Sequence, residues 1–184
     1  MKKTFFAIAI GVLTTSAGFA QKQFTRSANI SFFSDTPMEK IEATNQQATS
    51  VVELEKNEMV FSVLMKSFEF EKALMQEHFN EKYVESDKFP KAQFKGTYKA
   101  EKAIDLKKDG TYPVTVSGTM NMHGVDKEVK ATGTFTVKGG KLSGKSEFNL
   151  KLADYNINIP GVVKDNIAEQ VKITVDATYE PYTK

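Results

Sequence analysis

Between residues 114 and 179 the chain alternates apolar and polar side chains with a two-residue period in four separate segments. Val114, Val116, Gly118, Met120 and Met122 share one phase, and Val129, Ala131, Gly133, Phe135 and Val137 a second. Leu142, Gly144, Ser146, Phe148, Leu150 and Leu152 follow, then Val171, Ile173, Val175, Ala177 and Tyr179. Successive side chains of a strand point to opposite faces, so each segment has one oily and one wetted face. With no long helix between them, these strands must bury their oily faces in a second sheet, in a barrel interior or against an apolar ligand.

Turn signals separate the segments. Lys108-Asp109-Gly110 precedes the first, His123-Gly124-Val125-Asp126 divides it from the second, and Lys138-Gly139-Gly140 predicts a tight hairpin to the third. Such short links make an antiparallel meander. The N-terminal half is less regular and reads as strands over 29–34, 40–44, 50–55, 59–65 and 92–100. One stretch departs from the two-residue period. Phe70, Ala73 and Leu74, with Met75 and Phe79 less regularly, predict an amphipathic helix over 70–79. A loop ending at Pro90 follows it, and residues 156–164 form a second long connection. The sum is an all-β domain of about eight antiparallel strands with one short helix near one end. A closed lipocalin-like barrel is favoured over a sandwich, because several strands look too long for sandwich spacing.

The N-terminus has a different logic. Met1-Lys2-Lys3, an apolar run over 5–13 and the small-residue ending Ala17-Gly18-Phe19-Ala20 are the parts of a secretory signal peptide, with Gln21 as the mature start. The run falls short of the ~20 residues a spanning helix needs, and no Cys follows to carry a lipid anchor. The expectation is a signal peptide over 1–20, a single barrel domain over 21–184, and a periplasmic or secreted protein without an integral membrane anchor. Removing Lys2 and Lys3 from the 25 basic residues leaves them equal to the 23 acidic ones. That balance gives no basis for a nucleic-acid partner.

The inward phase and the helix nominate a set of wall residues for an apolar tunnel: Phe61, Val63, Met65, Phe70, Leu74, Phe94, Tyr98, Val116, Gly118, Met120, Met122, Gly133, Phe135, Phe148, Leu150, Ile173 and Val175. This lining is nearly free of charge, so a ligand would be held by apolar burial, worth about 0.8 kcal/mol per CH₂. Gly96, Gly118, Gly133 and Gly144 all fall on the oily phase. They either relieve bending at barrel corners or leave the interior unfilled, with a lean toward room inside. Catalytic signals are poor: the chain has two histidines and no Cys or Trp. No zinc-protease motif, nucleophile elbow or phosphate loop is present. No catalytic residue, metal ligand or cofactor is assigned, and the chain reads as a non-enzyme.

Three stretches together resemble the YceI-like family. They are Glu77-His78-Phe79 with Ser86 to Phe94, the strand-turn-strand from Gly118 through His123-Gly124 to Val129, and Phe148-Asn149-Leu150 on to Tyr155-Asn156-Ile157. The resemblance implies an exported, lipocalin-like barrel that binds polyisoprenoids, isoprenoid quinones or related long-chain amphiphiles, with a homodimer as one family arrangement. Where the family opens with Trp and His-Ser, this chain has Phe24-Thr25-Arg26 and Asn29-Ile30-Ser31-Phe32-Phe33. His123 matches the family's turn histidine. The competing functional reading is an interaction or stress-response module that uses the barrel as a scaffold.

Overall fold

Each of the four regular segments forms a single strand in the computed structural model, which describes residues 22–182. The proposed signal peptide lies outside the described residues. In chain order the strands are β1 (Lys22–Asp35), β2 (Lys40–Glu53), β3 (Glu58–Leu64), the two-residue β4 (Glu69–Phe70), β5 (Lys91–Ala100), β6 (Gly110–Met122), β7 (Val125–Lys138), β8 (Lys141–Lys151), β9 (Gln170–Thr178) and the two-residue β10 (Glu180–Pro181). Helix α1 (Ala73–His78) lies between β4 and β5. The long strands pair in the order β1-β9-β8-β7-β6-β5-β3-β2, and β2 returns to β1. Every pairing is antiparallel, so the eight strands close a barrel without a free long edge.

The two tight turns follow the glycines. His123 (φ 52°) and Gly124 (φ 74°) join Met122 to its partner Val125, and Gly139 (φ 57°) and Gly140 (φ 78°) join Lys138 to Lys141. Positive φ at both central residues is the type I′ geometry that matches strand twist.

The N-terminal half differs from the sequence expectation in one instructive way. The strands expected over 40–44 and 50–55 are one strand, β2, and β1 begins well before residue 29. Facing bulges explain the misreading. The β1–β2 register shifts between Thr25 and Ala28 by one extra residue in β1, then between Ala28 and Ile30 by one in β2. Inward residues therefore change from Gln23 and Thr25 to Ala28 and Ile30 along β1, and from Ala43 and Asn45 to Ala48, Ser50 and Val52 along β2. A bulge reverses the facing of everything beyond it, which breaks alternation without ending the strand. Asn45 secures the β2 bulge: its Oδ1 accepts from Gln47 N (2.9 Å) and its Nδ2 donates to Leu64 O (2.8 Å).

The helix expected over 70–79 is shorter and out of phase. Phe70 is extended in β4, paired with Ala43, and α1 begins only at Ala73 before widening into a π-turn over Phe79–Tyr83. The long links over 65–90 and 152–169, the β1–β2 hairpin and the His123-Gly124 turn all lie at one end of the barrel, the mouth. The start of β1, the end of β9 and the Gly139-Gly140 turn lie at the other, the base.

Candidate ligand cavity

The base is packed solid. Tyr179 is 1% exposed, and Val52, Val137 and Leu142 are fully buried around it. Its hydroxyl lies 3.1 Å from Ser50 Oγ, a buried pair that satisfies both groups. Phe135 meets Tyr98 edge-on at 5.1 Å and Tyr179 at 6.5 Å. Burial pushes the Tyr98 phenol up to about 12 and drives Tyr179 higher still, with the Ser50 contact pulling back slightly.

Above this floor the barrel encloses a cavity of about 410 Å³, within the roughly 300–1,000 Å³ range of small-molecule sites. Its wall follows the strand alternation. Phe61 and Val63 of β3, Phe94 of β5, and Val116, Met120 and Met122 of β6 border it. So do Gly133 and Phe135 of β7, Phe148 and Leu150 of β8, and Ile173 and Val175 of β9, with Met65 and Phe70 nearer the mouth. On that side the β7–β8 ladder ends at Thr132 and Glu147. Beyond that point Val129 and Ala131 on β7, with Phe148 and Leu150 on β8, still face the hollow.

Three nominated wall residues do not border the cavity. Leu74 is 61% exposed, because α1 starts at Ala73 and turns Met75, His78 and Phe79 inward instead. Tyr98 belongs to the packed base. Gly118 is paired across the ladder with Gly96, and a Cβ there would overlap Gly96 Cα and the Lys95 carbonyl oxygen. The lean toward glycines as empty interior is corrected at Gly96 and Gly118, whereas Gly133 and Gly144 do border the cavity. Phe94 Cζ would lie 2.6 Å from a Cβ on Gly96, and Phe135 Cε1 3.0 Å from one on Gly144. The space left at the Gly96–Gly118 pair is occupied by close strand approach and the Phe94 ring.

An aromatic cluster caps the cavity. Phe32 lies 5.5 Å from Phe68, 5.7 Å from Phe70 and 5.5 Å from Phe79, stacked on the last. Phe79 also meets Phe70 at 5.1 Å. Ile30, Phe32 and Ile41 are wall residues outside the nominated set, although the apolar phase of Ile30 and Phe32 is readable in β1. Polar groups gather at the mouth: Ser34, Glu39, His78, Tyr83 and Asn166 border it. Burial raises the Tyr83 phenol above its ordinary value.

Glu39 ties three mouth segments together. Its backbone N–H donates to Thr36 Oγ1 (3.0 Å), fixing the hairpin. Its Oε1 lies 3.5 Å from Lys72 Nζ beside α1, and its Oε2 accepts from Asn166 Nδ2 (3.2 Å) in the 152–169 link. On the same link Ala168 N donates to Ser34 Oγ (2.9 Å). No local sequence signal joins Glu39 to Asn166.

His123 forms a second tie away from the cavity. Nδ1–H donates to Tyr155 O (2.9 Å), Nε2 lies 2.9 Å from Glu85 Oε2, and the ring packs edge-on against Phe89 at 4.7 Å. The side chain is 9% exposed. This histidine fastens the β6–β7 turn to the two long links and does not border the cavity. Burial, with Asp154 adding, lifts the Tyr155 phenol to about 12. Among the described residues no three metal-binding side chains converge, and no helix is long and apolar enough to cross a membrane.

A closed antiparallel barrel holding an apolar hollow beneath a short helix defines the class: a lipocalin-like cavity barrel. The chain belongs to the YceI-like family, whose domain model matches residues 15–179. No curated protein matches it in sequence. Among solved structures, a polyisoprenoid binding domain from Saccharophagus degradans, implicated in plant cell wall breakdown, is similar at TM-score 0.71 and 13% identity. The match covers 88% of this chain and 99% of that one. Burkholderia cenocepacia BcnA is similar at TM-score 0.69 and 13% identity, over 83% and 96% of the two chains. A Campylobacter jejuni YCEI protein matches over the whole of both chains at TM-score 0.53 and 12% identity. At these identities the likeness is one of fold.

Proposed function

We propose that this protein binds a long-chain isoprenoid, a polyisoprenoid or isoprenoid quinone, or a similar amphiphile, and serves as an exported, non-enzymatic carrier or store. The apolar cavity of about 410 Å³ carries the reading. Polar groups stand only at its mouth and margins, whereas each of the eight long strands contributes hydrocarbon to the wall. Each methylene buried there contributes about 0.8 kcal/mol, so a long chain gains far more than a compact polar metabolite. Family membership and the polyisoprenoid binding of the Saccharophagus degradans neighbour support the ligand class. The signal-peptide pattern over 1–20 supports a periplasmic or secreted location.

The test is native mass spectrometry of protein purified without detergent, before and after organic extraction. The expected result is an adduct of long-chain lipid mass that extraction removes and added isoprenoid restores. A barrel that arrives empty and takes up no isoprenoid would overturn the reading and leave the scaffold function in its place.

A further inference from the structure

The three most exposed large apolar side chains among the described residues are Val162 (93%), Met38 (71%) and Leu74 (61%). They come from segments far apart in sequence: the β1–β2 hairpin, helix α1 and the 3-10 turn Gly161–Val163. Yet they share one rim. Glu39, next to Met38, contacts Lys72 just before α1 and Asn166 just after the 3-10 turn. The immediate neighbours of the three residues, Glu39, Met75 and Val163, all border the cavity. Each exposed apolar residue thus sits on a segment whose next residue turns inward.

A lysine stands two residues from each tip: Lys40, Lys72 and Lys164. All three are well exposed, and each meets a single carboxylate at the long end of ion-pair distance. Lys40 lies 3.9 Å from Asp35, Lys72 3.5 Å from Glu39 and Lys164 3.6 Å from Glu169. Exposed pairs of this kind are weakly held, so the ammonium groups are able to exchange a carboxylate for a lipid phosphate. Apolar tips flanked by long basic side chains match the chemistry of the bilayer interface, where the tips enter the acyl boundary and the ammonium groups stay among the headgroups.

We propose that this rim docks the barrel, mouth first, onto a lipid bilayer. Its continuity with the cavity favours this occupant: a hollow that takes an insoluble chain needs its opening against the phase that holds the chain. The need for that opening rests on the proposed lipid-binding function; the docking surface itself stands on the tips, the lysines and their shared rim. Three separate protruding turns also suit a fluid interface better than a flat protein face.

The experiment is flotation of the protein with vesicles of phosphatidylethanolamine and phosphatidylglycerol, alongside isoprenoid binding by native mass spectrometry. The wild-type chain is expected to float with the vesicles. Met38→Ser, Leu74→Ser and Val162→Ser combined should weaken vesicle partitioning at least about ten-fold, as expected from removing several partly buried apolar groups. The same triple variant should keep its melting temperature and its isoprenoid adduct. Val60→Ser, an exposed apolar position on the barrel wall, should float normally. The chain has no Trp, so Val162→Trp gives a single indole whose emission should shift to the blue on vesicles. Wild-type protein that binds isoprenoid but does not float overturns the docking surface alone. Equal flotation of wild type and triple variant also overturns it, as does a rim that instead joins two copies into a dimer the triple variant dissolves. Protein that floats through this rim but takes up no isoprenoid upholds the docking surface and sinks the lipid-binding function.

Discussion

At the base of the barrel, Tyr179, Leu142, Val137 and Val52 leave almost no surface to solvent, and the Tyr179 hydroxyl finds its partner in Ser50. At the mouth, rings from Phe32, Phe68, Phe70 and Phe79 roof a hollow, and the roof is held by a part-exposed carboxylate, Glu39, 27% exposed. The same alternating strands run through both ends. What differs is what meets the inward residues: at the base, side chains from the opposite wall; at the mouth, links from distant parts of the sequence. Stability is concentrated where wall meets wall. Capacity to admit a ligand is concentrated where wall meets link.

The largest blow to this contrast comes from the base. Leu142→Ala should cost about 2–5 kcal/mol of unfolding free energy by denaturant titration, the range for a truncated core leucine. It should leave isoprenoid uptake per folded molecule unchanged; a comparable loss of uptake would mean that the two ends are not separable. Gly118→Ala should follow. Its new Cβ would collide with backbone of β5, which cannot rotate away, and overpacking of that kind costs about 1–3 kcal/mol. A stabilised or neutral Gly118→Ala would restore the reading of this glycine as spare interior.

How much of this was legible in the sequence follows the same division. The strands from β6 to β9 are readable because their alternation is unbroken, and the wall residues they carry, Gly118 excepted, border the cavity. β1 and β2 were harder. Paired bulges near Arg26-Ser27 and Gln46-Gln47 switch the inward phase while the strands continue, so one strand reads as two. Gly96 and Gly118 mislead because a single strand does not reveal its partner: they matter as a cross-ladder pair. Leu74 faces outward because β4 takes Phe70 out of the helix and resets its phase. The Glu39–Asn166 contact joins residues 127 positions apart, and no local pattern encodes it.

Alkaline titration gives a smaller, graded effect. Tyr98 and Tyr155 have phenol pKa values raised from the ordinary 10.0 to about 12 in the folded chain, mainly by burial. The unfolded chain therefore loses these protons first. The stability they contribute is fully present below about pH 10 and is lost as pH rises toward 12. Denaturant midpoints measured across that window should fall, and Tyr98→Phe should flatten part of the decline. A wild-type midpoint that stays level would contradict the burial of these phenols.

The smallest expected change in stability lies at the mouth. Glu39→Gln removes a surface ion pair and should change unfolding free energy by no more than about 1 kcal/mol. Its effect should appear in exchange instead, as faster release of bound isoprenoid, because the hairpin, α1 and the 152–169 link lose their shared charged contact. Unchanged release kinetics would show that the mouth is held by the aromatic roof alone.

The hollow on the mouth side of Phe135 is the proposed binding site. Ala131 faces that hollow beyond the end of the β7–β8 ladder, where an indole has room that the base does not offer. The direct test is equilibrium binding of a long-chain isoprenol to wild type and to Ala131→Trp, with melting temperatures measured on the same samples. Ala131→Trp should stay folded with a melting temperature near wild type and lose binding. Undiminished binding in a folded Ala131→Trp barrel would contradict it.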